Sequence, residues 1–207
     1  MLNESNLMRT VEFKIGNYKE IWKKMVEFTA TRTKDTLDEL WITEHNPIYT
    51  LGKNANENNI TDAGDIPVLR VDRGGEVTYH GPGQIMIYVL IDLKRKGLNV
   101  SDLIFILEES IIQLLKKYNI RASRMKKAPG VYVDSMKIAS IGIRVSRGCT
   151  YHGLSFNYDV DLAPFFGINT CGFDQLNVTS LKNLNINENK AILLREINEI
   201  LTGKLVN

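Results

Sequence analysis

The stretch that most limits how this chain can fold is Ile85-Met86-Ile87-Tyr88-Val89-Leu90-Ile91-Asp92-Leu93. It has the length of a strand, it is rich in β-branched residues, and it is apolar on both faces. Such a strand must lie centrally, with cover on either side. The chain breaks just before it, at Gly81-Pro82-Gly83. Further on, residues 131–133, 137–144 and 150–158 read as consecutive strands joined by turns at Asp134-Ser135 and Ser146-Arg147-Gly148, which makes an antiparallel meander. Helical spacing of apolar residues marks three helices. One covers about 18–32, with Ile21, Met25 and Phe28. One starts at Ser101 as N-cap and runs to about Tyr118. One closes the chain over about 190–201. Strand runs mixed with isolated helices predict an α+β fold: a mixed, largely antiparallel sheet with flanking helices.

Shorter elements complete the outline. Residues 11–15, 39–44 and 48–51 read as strands, and 53–65 as a polar, Asn-rich loop. Residues 68–71 and 76–79 read as two strands around the turn Asp72-Arg73-Gly74-Gly75, and 162–166 as a helical turn. The 207 residues suit a single domain, 1–207, with a substantial core.

A formal charge of +2 gives no field that would favour nucleic acid, and no apolar run has the length of a membrane span. Two basic clusters remain, Lys94-Arg95-Lys96 and the group Arg121, Arg124, Lys126, Lys127. They read as solvated faces or, more sharply, as a docking face for an acidic partner. The early residues are polar, with Glu4 and Arg9, so no secretory leader is expected. That points to the cytoplasm, with Cys149 and Cys171 as free thiols.

The glycine turn Arg73-Gly74-Gly75-Glu76-Val77-Thr78-Tyr79-His80-Gly81-Pro82-Gly83-Gln84 carries too many polar side chains for a plain hairpin. It is not a phosphate loop, because no G-x-x-x-x-G-K-[ST] is present, and Met86 stands where a dinucleotide fingerprint needs a small residue. Thr78-Tyr79-His80-Gly81 recurs 72 residues later as Thr150-Tyr151-His152-Gly153, which suggests that both segments end strands at one edge of the sheet. The two histidines and Cys171 are too scattered for a zinc site, so no metal is expected, and each imidazole reads as a hydrogen-bonded positioning group.

Cys149 reads as a buried structural thiol. Cys171 differs, since Asn169-Thr170-Cys171-Gly172-Phe173 is a loop whose glycine permits close backbone approach. A free thiol is only slightly ionised at neutral pH, and lowering its pKa by about two units, worth about 2.7 kcal/mol, makes the thiolate the majority form. A nearby ammonium in a partly dry site supplies this. Lys137 is the candidate, opening a strand of small and apolar residues that would bury its stem.

Taken together, residues 73–84, Lys137-Ile138-Ala139-Ser140-Ile141-Gly142, Tyr151-His152-Gly153 and Cys171-Gly172 resemble the lipoyl (octanoyl) transferases, as does Glu44-His45-Asn46-Pro47-Ile48-Tyr49-Thr50-Leu51-Gly52. The resemblance implies a fold like the catalytic domain of biotin and lipoate protein ligases. It implies transfer of an octanoyl group from octanoyl-acyl carrier protein to a lysine of lipoyl domains, those of 2-oxoacid dehydrogenases and of the glycine cleavage H protein. On this resemblance Cys171 is the nucleophile and Lys137 its activator, with no cofactor. Substrate binding falls to Arg73, Gly74, Gly75, Glu76, Val77, Thr78, Tyr79 and His80, to Ser140, Ile141 and Gly142, and to Gly153, Leu154 and Ser155. The family commonly has Pro before the cysteine, where this chain has Thr170. A thioester donor needs no ATP, and glycines 74, 75, 142 and 153 are expected to leave room for the acyl chain. The rival readings are an ATP-dependent lipoate or biotin ligase, a thioesterase, and a non-catalytic module that binds carrier or lipoyl domains.

Overall fold

A computed structural model describes residues 8–126, 128–169 and 177–206. Among the described residues, ten strands and four α-helices follow in the order β1 (Met8–Glu12), α1 (Tyr18–Thr31), β2 (Asp38–Thr43), β3 (Ile48–Leu51), β4 (Val68–Arg70), β5 (Val77–His80), β6 (Gln84–Leu90), α2 (Leu93–Lys96), α3 (Val100–Lys117), β7 (Ser123–Arg124), β8 (Gly130–Val133), β9 (Met136–Ser146), β10 (Cys149–Asn157) and α4 (Lys190–Val206). Seven strands form one sheet in the order β1-β2-β6-β10-β9-β8-β7, and β4-β3-β5 form a second. Among the strands of the described residues, β1–β2 and β3–β4 are parallel pairs and the other pairs are antiparallel, so the sheets are mixed and largely antiparallel, as expected.

β6 is central and buried along its whole length. Its alternation divides the core. Ile85, Ile87 and Val89 face a cluster with α3 and α4, through residues such as Leu107, Ile111, Leu193 and Leu201. Met86, Tyr88 and Leu90 face α1, through Ile21 and Met25. A third cluster, with Tyr49, Leu51, Val77, Tyr79 and Phe165, belongs to the small sheet. Both meander turns are tight because they hold left-handed residues, Asp134 and Ser135 (φ 47° and 66°) and Arg147 and Gly148 (φ 51° and 81°), the twist that suits a two-residue hairpin.

Three expectations change. The helix expected from Ser101 is capped by Asn99, whose side chain accepts from Asp102 N while the Asp102 carboxylate accepts from Asn99 N; that reciprocal box needs the acid three residues on. Residues 68–71 and 76–79 do not make a hairpin around 72–75, because β3 lies between β4 and β5 and pairs with both. Finally, Lys94-Arg95-Lys96 is a solvated face only at Lys94, which is exposed. Arg95 and Lys96, with Arg32, converge on the fully buried Asp38 carboxylate. No described helix is long and apolar enough to cross a membrane.

Candidate active site

A cavity of about 420 Å³ lies between the two sheets, within the range of small-molecule sites. One wall is the turn and strand at 73–78 with His80. The opposite wall is β9 and β10, through Lys137, residues 140–143 and residues 152–155. Tyr18 at the start of α1, Val100 and Ile104 on α3, and Val178 complete it. The cavity thus brings together every residue expected at the site except two. Tyr79 points the other way, into the small-sheet core, because strand alternation puts it opposite His80. Cys171, with Thr170, Gly172 and Phe173, lies outside the described residues.

The glycine turn is held against β9 by backbone contact. Gly74 N donates to the Ile143 carbonyl (3.1 Å). A Cβ on Gly142 would lie 2.9 Å from the Gly74 carbonyl oxygen, and one on Gly153 would lie 2.0 Å from that of Ile87. The expectation that these two glycines leave room for an acyl chain is thus corrected: they line the cavity, but what they make possible is the approach of backbone to backbone.

Arg73 is buried. It donates from Nε (3.1 Å) and Nη2 (2.8 Å) to Thr50 Oγ1 and from Nη2 to the Thr50 carbonyl (2.7 Å). With its lone pairs so engaged, the Thr50 hydroxyl donates onward to His80 Nε2 (3.2 Å), and His80 Nδ1–H donates to Gln84 Oε1 (2.6 Å). This pattern requires a neutral imidazole. Burial and the Arg73 charge agree with it, holding the His80 pKa well below the ordinary histidine value.

The second histidine is built differently. His152 Nε2–H donates to Asp72 Oδ1 (3.0 Å), and its Nδ1 accepts from the Tyr18 hydroxyl (3.4 Å). Trp22 Nε1–H (2.9 Å) and the Tyr151 hydroxyl also donate to Asp72. Burial raises the Asp72 pKa, but the hydrogen bonds from His152, Tyr151 and Trp22 outweigh it and keep the carboxyl well below the usual range. Burial lowers the pKa of His152, opposed by Asp72. His45 completes the group, between the Gly16 carbonyl (3.2 Å) and the Tyr88 hydroxyl (2.6 Å), with burial bringing its pKa down to about 4. Tyr18 sits among all three histidines, stacked on His80 (5.4 Å between centroids, 16°), and burial pushes its hydroxyl up to about 12. Sequence reading missed Tyr18, Asp72 and Tyr88 as parts of this site. Asn17 as N-cap signals where α1 begins, but nothing in the sequence tells that its first side chain turns inward.

Lys137 is only 7% exposed, and its Nζ lies 5.4 Å from the centroid of the Tyr132 ring, a cation–π distance. Its backbone is gripped by the chain returning after residue 176: Lys137 N donates to the Asn177 carbonyl (2.9 Å), and Thr179 N donates to the Lys137 carbonyl (3.0 Å). Among the described residues no group of three His, Cys, Asp or Glu side chains is placed to hold a metal. Cys149 is buried at the start of β10, and burial raises its thiol pKa, as befits a structural cysteine.

Residues 17–201 match the family described as the lipoyl protein ligase A/B catalytic domain. An octanoyltransferase of Vesicomyosocius okutanii subsp. Calyptogena okutanii is 48% identical over 195 residues, covering 94% of this chain and 96% of that one. An octanoyltransferase of Nitrosococcus oceani is 45% identical over 201 residues, covering 97% and 90%. Among solved structures, a lipoate-protein ligase A bound with ATP matches with a TM-score of 0.79 at 12% identity, over 95% of this chain and 85% of that one. A biotin protein ligase from Aquifex aeolicus, in complex with biotin and ATP, matches at 0.58 and 12%, over 95% and 70%. At such identities the solved structures bear on the fold alone.

Proposed function

The chain belongs to the lipoyl protein ligase A/B catalytic-domain family, and from that premise we propose that its cavity is the acyl site of a single-domain octanoyltransferase working through Cys171 and Lys137. The enzyme is an acyltransferase that moves octanoyl groups in protein lipoylation. Its donor is octanoyl-acyl carrier protein. Its acceptors are lysines of lipoyl domains, in 2-oxoacid dehydrogenases and the glycine cleavage H protein. The observation that carries this reading is that residues far apart in sequence, at 73–78, 80, 137, 140–142 and 153–155, line one cavity.

The chemistry balances without ATP. Proton transfer from Cys171 to Lys137 gives thiolate and ammonium. The thiolate attacks the donor carbonyl; the carrier thiolate leaves and takes its proton from Lys137, which becomes neutral. The acceptor amine then attacks the Cys171 thioester, gives its proton to Lys137, and releases the Cys171 thiolate. Lys137 has the surroundings for both roles, with a desolvated stem, a fixed backbone and a face on the cavity. Cys171 lies six residues before Asn177, whose carbonyl is bonded to Lys137 N. Aliphatic lining from Val77, Ile141 and Leu154 favours the acyl chain by about 0.8 kcal/mol per buried CH₂. A thiol nucleophile that must stay reduced places this chemistry in the cytoplasm.

Incubation with octanoyl-acyl carrier protein, followed by intact mass and peptide mapping, tests the proposal. The expected result is a hydroxylamine-labile octanoyl adduct on Cys171 that a lipoyl domain discharges without ATP. Transfer that requires ATP and survives Cys171→Ser would overturn it in favour of a ligase, release of free octanoate without an amine acceptor would mark a thioesterase, and binding without turnover would mark a non-catalytic module.

A further inference from the structure

The hydrogen-bonded chain that starts at Arg73 does not stop at Gln84. Gln84 Nε2 donates to Asn157 Oδ1 (2.9 Å) and to the Tyr79 carbonyl (3.3 Å), and Asn157 Nδ2 donates to the Thr179 carbonyl (2.9 Å). Thr179 N then donates to the Lys137 carbonyl (3.0 Å). Thr50, His80, Gln84, Asn157 and Thr179 are all buried. Gln84 and Asn157 face each other across the β6–β10 ladder, at the last position of its register. Buried amides of this kind are kept in place only when every group is matched, and a matched network fixes one geometry.

We propose that Asn157 is a positioning residue for Lys137, holding the 177–179 segment against it as the last side chain of a buried chain that begins at the Arg73 turn. Three features of the arrangement support this. Asn157 does not line the cavity, and its Nδ2 reaches the Thr179 carbonyl, so the path it offers to Lys137 runs through backbone. Its donor meets a stretch, 177–179, that bonds Lys137 on both its N–H and its carbonyl. The chain's other end is a cavity-lining guanidinium, so a substrate that displaces Arg73 pulls on the Lys137 clamp through fixed side chains. Gln84 is the coupling residue between the two halves.

This inference rests on the reading of Lys137 as activator of Cys171, and the experiment separates the two. The pH dependence of Cys171 alkylation is followed by peptide mapping in the full chain, alongside steady-state transfer. Asn157→Leu and Gln84→Met are neutral and of similar shape, so any shift comes from lost bonds rather than new charge. Asn157→Leu is expected to raise the alkylation midpoint by about one pH unit and to lower kcat about tenfold, the size of one lost buried hydrogen bond, with KM for the octanoyl carrier within about twofold. Gln84→Met moves both in the same direction by less, and decides the matter if Asn157→Leu does not fold. In a Lys137→Ala background neither substitution shifts the midpoint further, because the effect acts through Lys137. Phe156→Leu, next along β10 but in the apolar core, lowers stability and leaves the midpoint in place. Unchanged midpoints in Asn157→Leu and Gln84→Met, or equal shifts with Lys137 absent, overturn the proposal. A Lys137→Ala chain with an unshifted midpoint overturns the activator reading itself, and shows it in the single variant.

Discussion

The two Thr-Tyr-His-Gly segments are the same four residues put to different uses. In the first, the residues alternate as strand residues do: Tyr79 goes to the small-sheet core and His80 to the cavity, where it stays neutral between two uncharged partners. In the second, His152 has a left-handed φ of 60°. That turn in the backbone lets Tyr151 and His152, which a regular strand would put on opposite faces, stack 5.1 Å apart and share the Asp72 carboxylate. One segment therefore makes a strut between uncharged partners and the other an anchor on a carboxylate. Backbone conformation, which the tetrapeptide alone does not specify, decides between them.

The sharpest way to break this comparison is at the glycines that close the two segments. An Ala at 153 would press its methyl on the Ile87 carbonyl in the centre of the large sheet, where neither strand can yield. Gly153→Ala is expected to cost about 3 kcal/mol or more and to remove most transfer activity. An Ala at 81 would meet the Tyr79 ring, the far end of a side chain, so Gly81→Ala should cost less. Urea midpoints measured side by side decide this; equal losses would mean that the close approach at Gly153 has no special standing.

Acid titration probes the histidines. All three are held neutral by burial, with folded pKa values below the ordinary 6.5. For such a group the unfolded chain binds the proton first, so stability is lost as pH falls below about 6.5 and the loss continues down to the folded pKa. For His45, with a folded value of about 4, this is roughly 3 kcal/mol over that window. His45→Gln should flatten the curve of unfolding free energy against pH between 6.5 and 4 by about that amount. His80→Gln should flatten it too, while His152→Gln should do so less, because Asp72 opposes the fall in its pKa. Urea unfolding at stepped pH measures it, and a curve that keeps its slope in His45→Gln would show that the imidazole is already charged in the folded chain.

Much of the frame was legible in the sequence because it rests on local pattern. The both-face apolar run at 85–93 could only be a central strand, and the turns at 134–135 and 147–148 carry residues that tolerate positive φ. What was not legible depends on distant parts of the chain. The 72–75 turn looked like a hairpin because nothing local announces that β3 will slot between β4 and β5. Lys94-Arg95-Lys96 looked like surface because the buried Asp38 that gathers Arg95 and Lys96 is more than fifty residues earlier. The site motifs marked what lines the cavity, but not Asp72 and Tyr18, whose roles come from where α1 begins against β10.

Asp72 supplies the smallest and most diagnostic test. Its folded pKa is depressed, so the stability it contributes is present above the unfolded carboxyl value, near 3.9, and is lost as pH falls toward the folded value. Asp72→Asn should remove that acid limb while keeping the loss below pH 6.5, which belongs to the histidines and deepens somewhat because His152 loses the carboxylate that opposes the fall in its pKa. At neutral pH an amide oxygen at the Oδ1 position still accepts from Trp22 and His152, but without the negative charge, and its NH₂ meets the Tyr151 hydroxyl that Oδ2 served, so a loss of about 1–2 kcal/mol is expected. Trp22 reports on the change directly. Its indole N–H donates to Asp72, whereas Trp41 donates to Glu39, so only the Trp22 contribution to the emission should shift. A spectrum and an acid limb that both survive the substitution would show that His152 needs no carboxylate to hold its place, and the two Tyr-His-Gly segments would then be the same strut built twice.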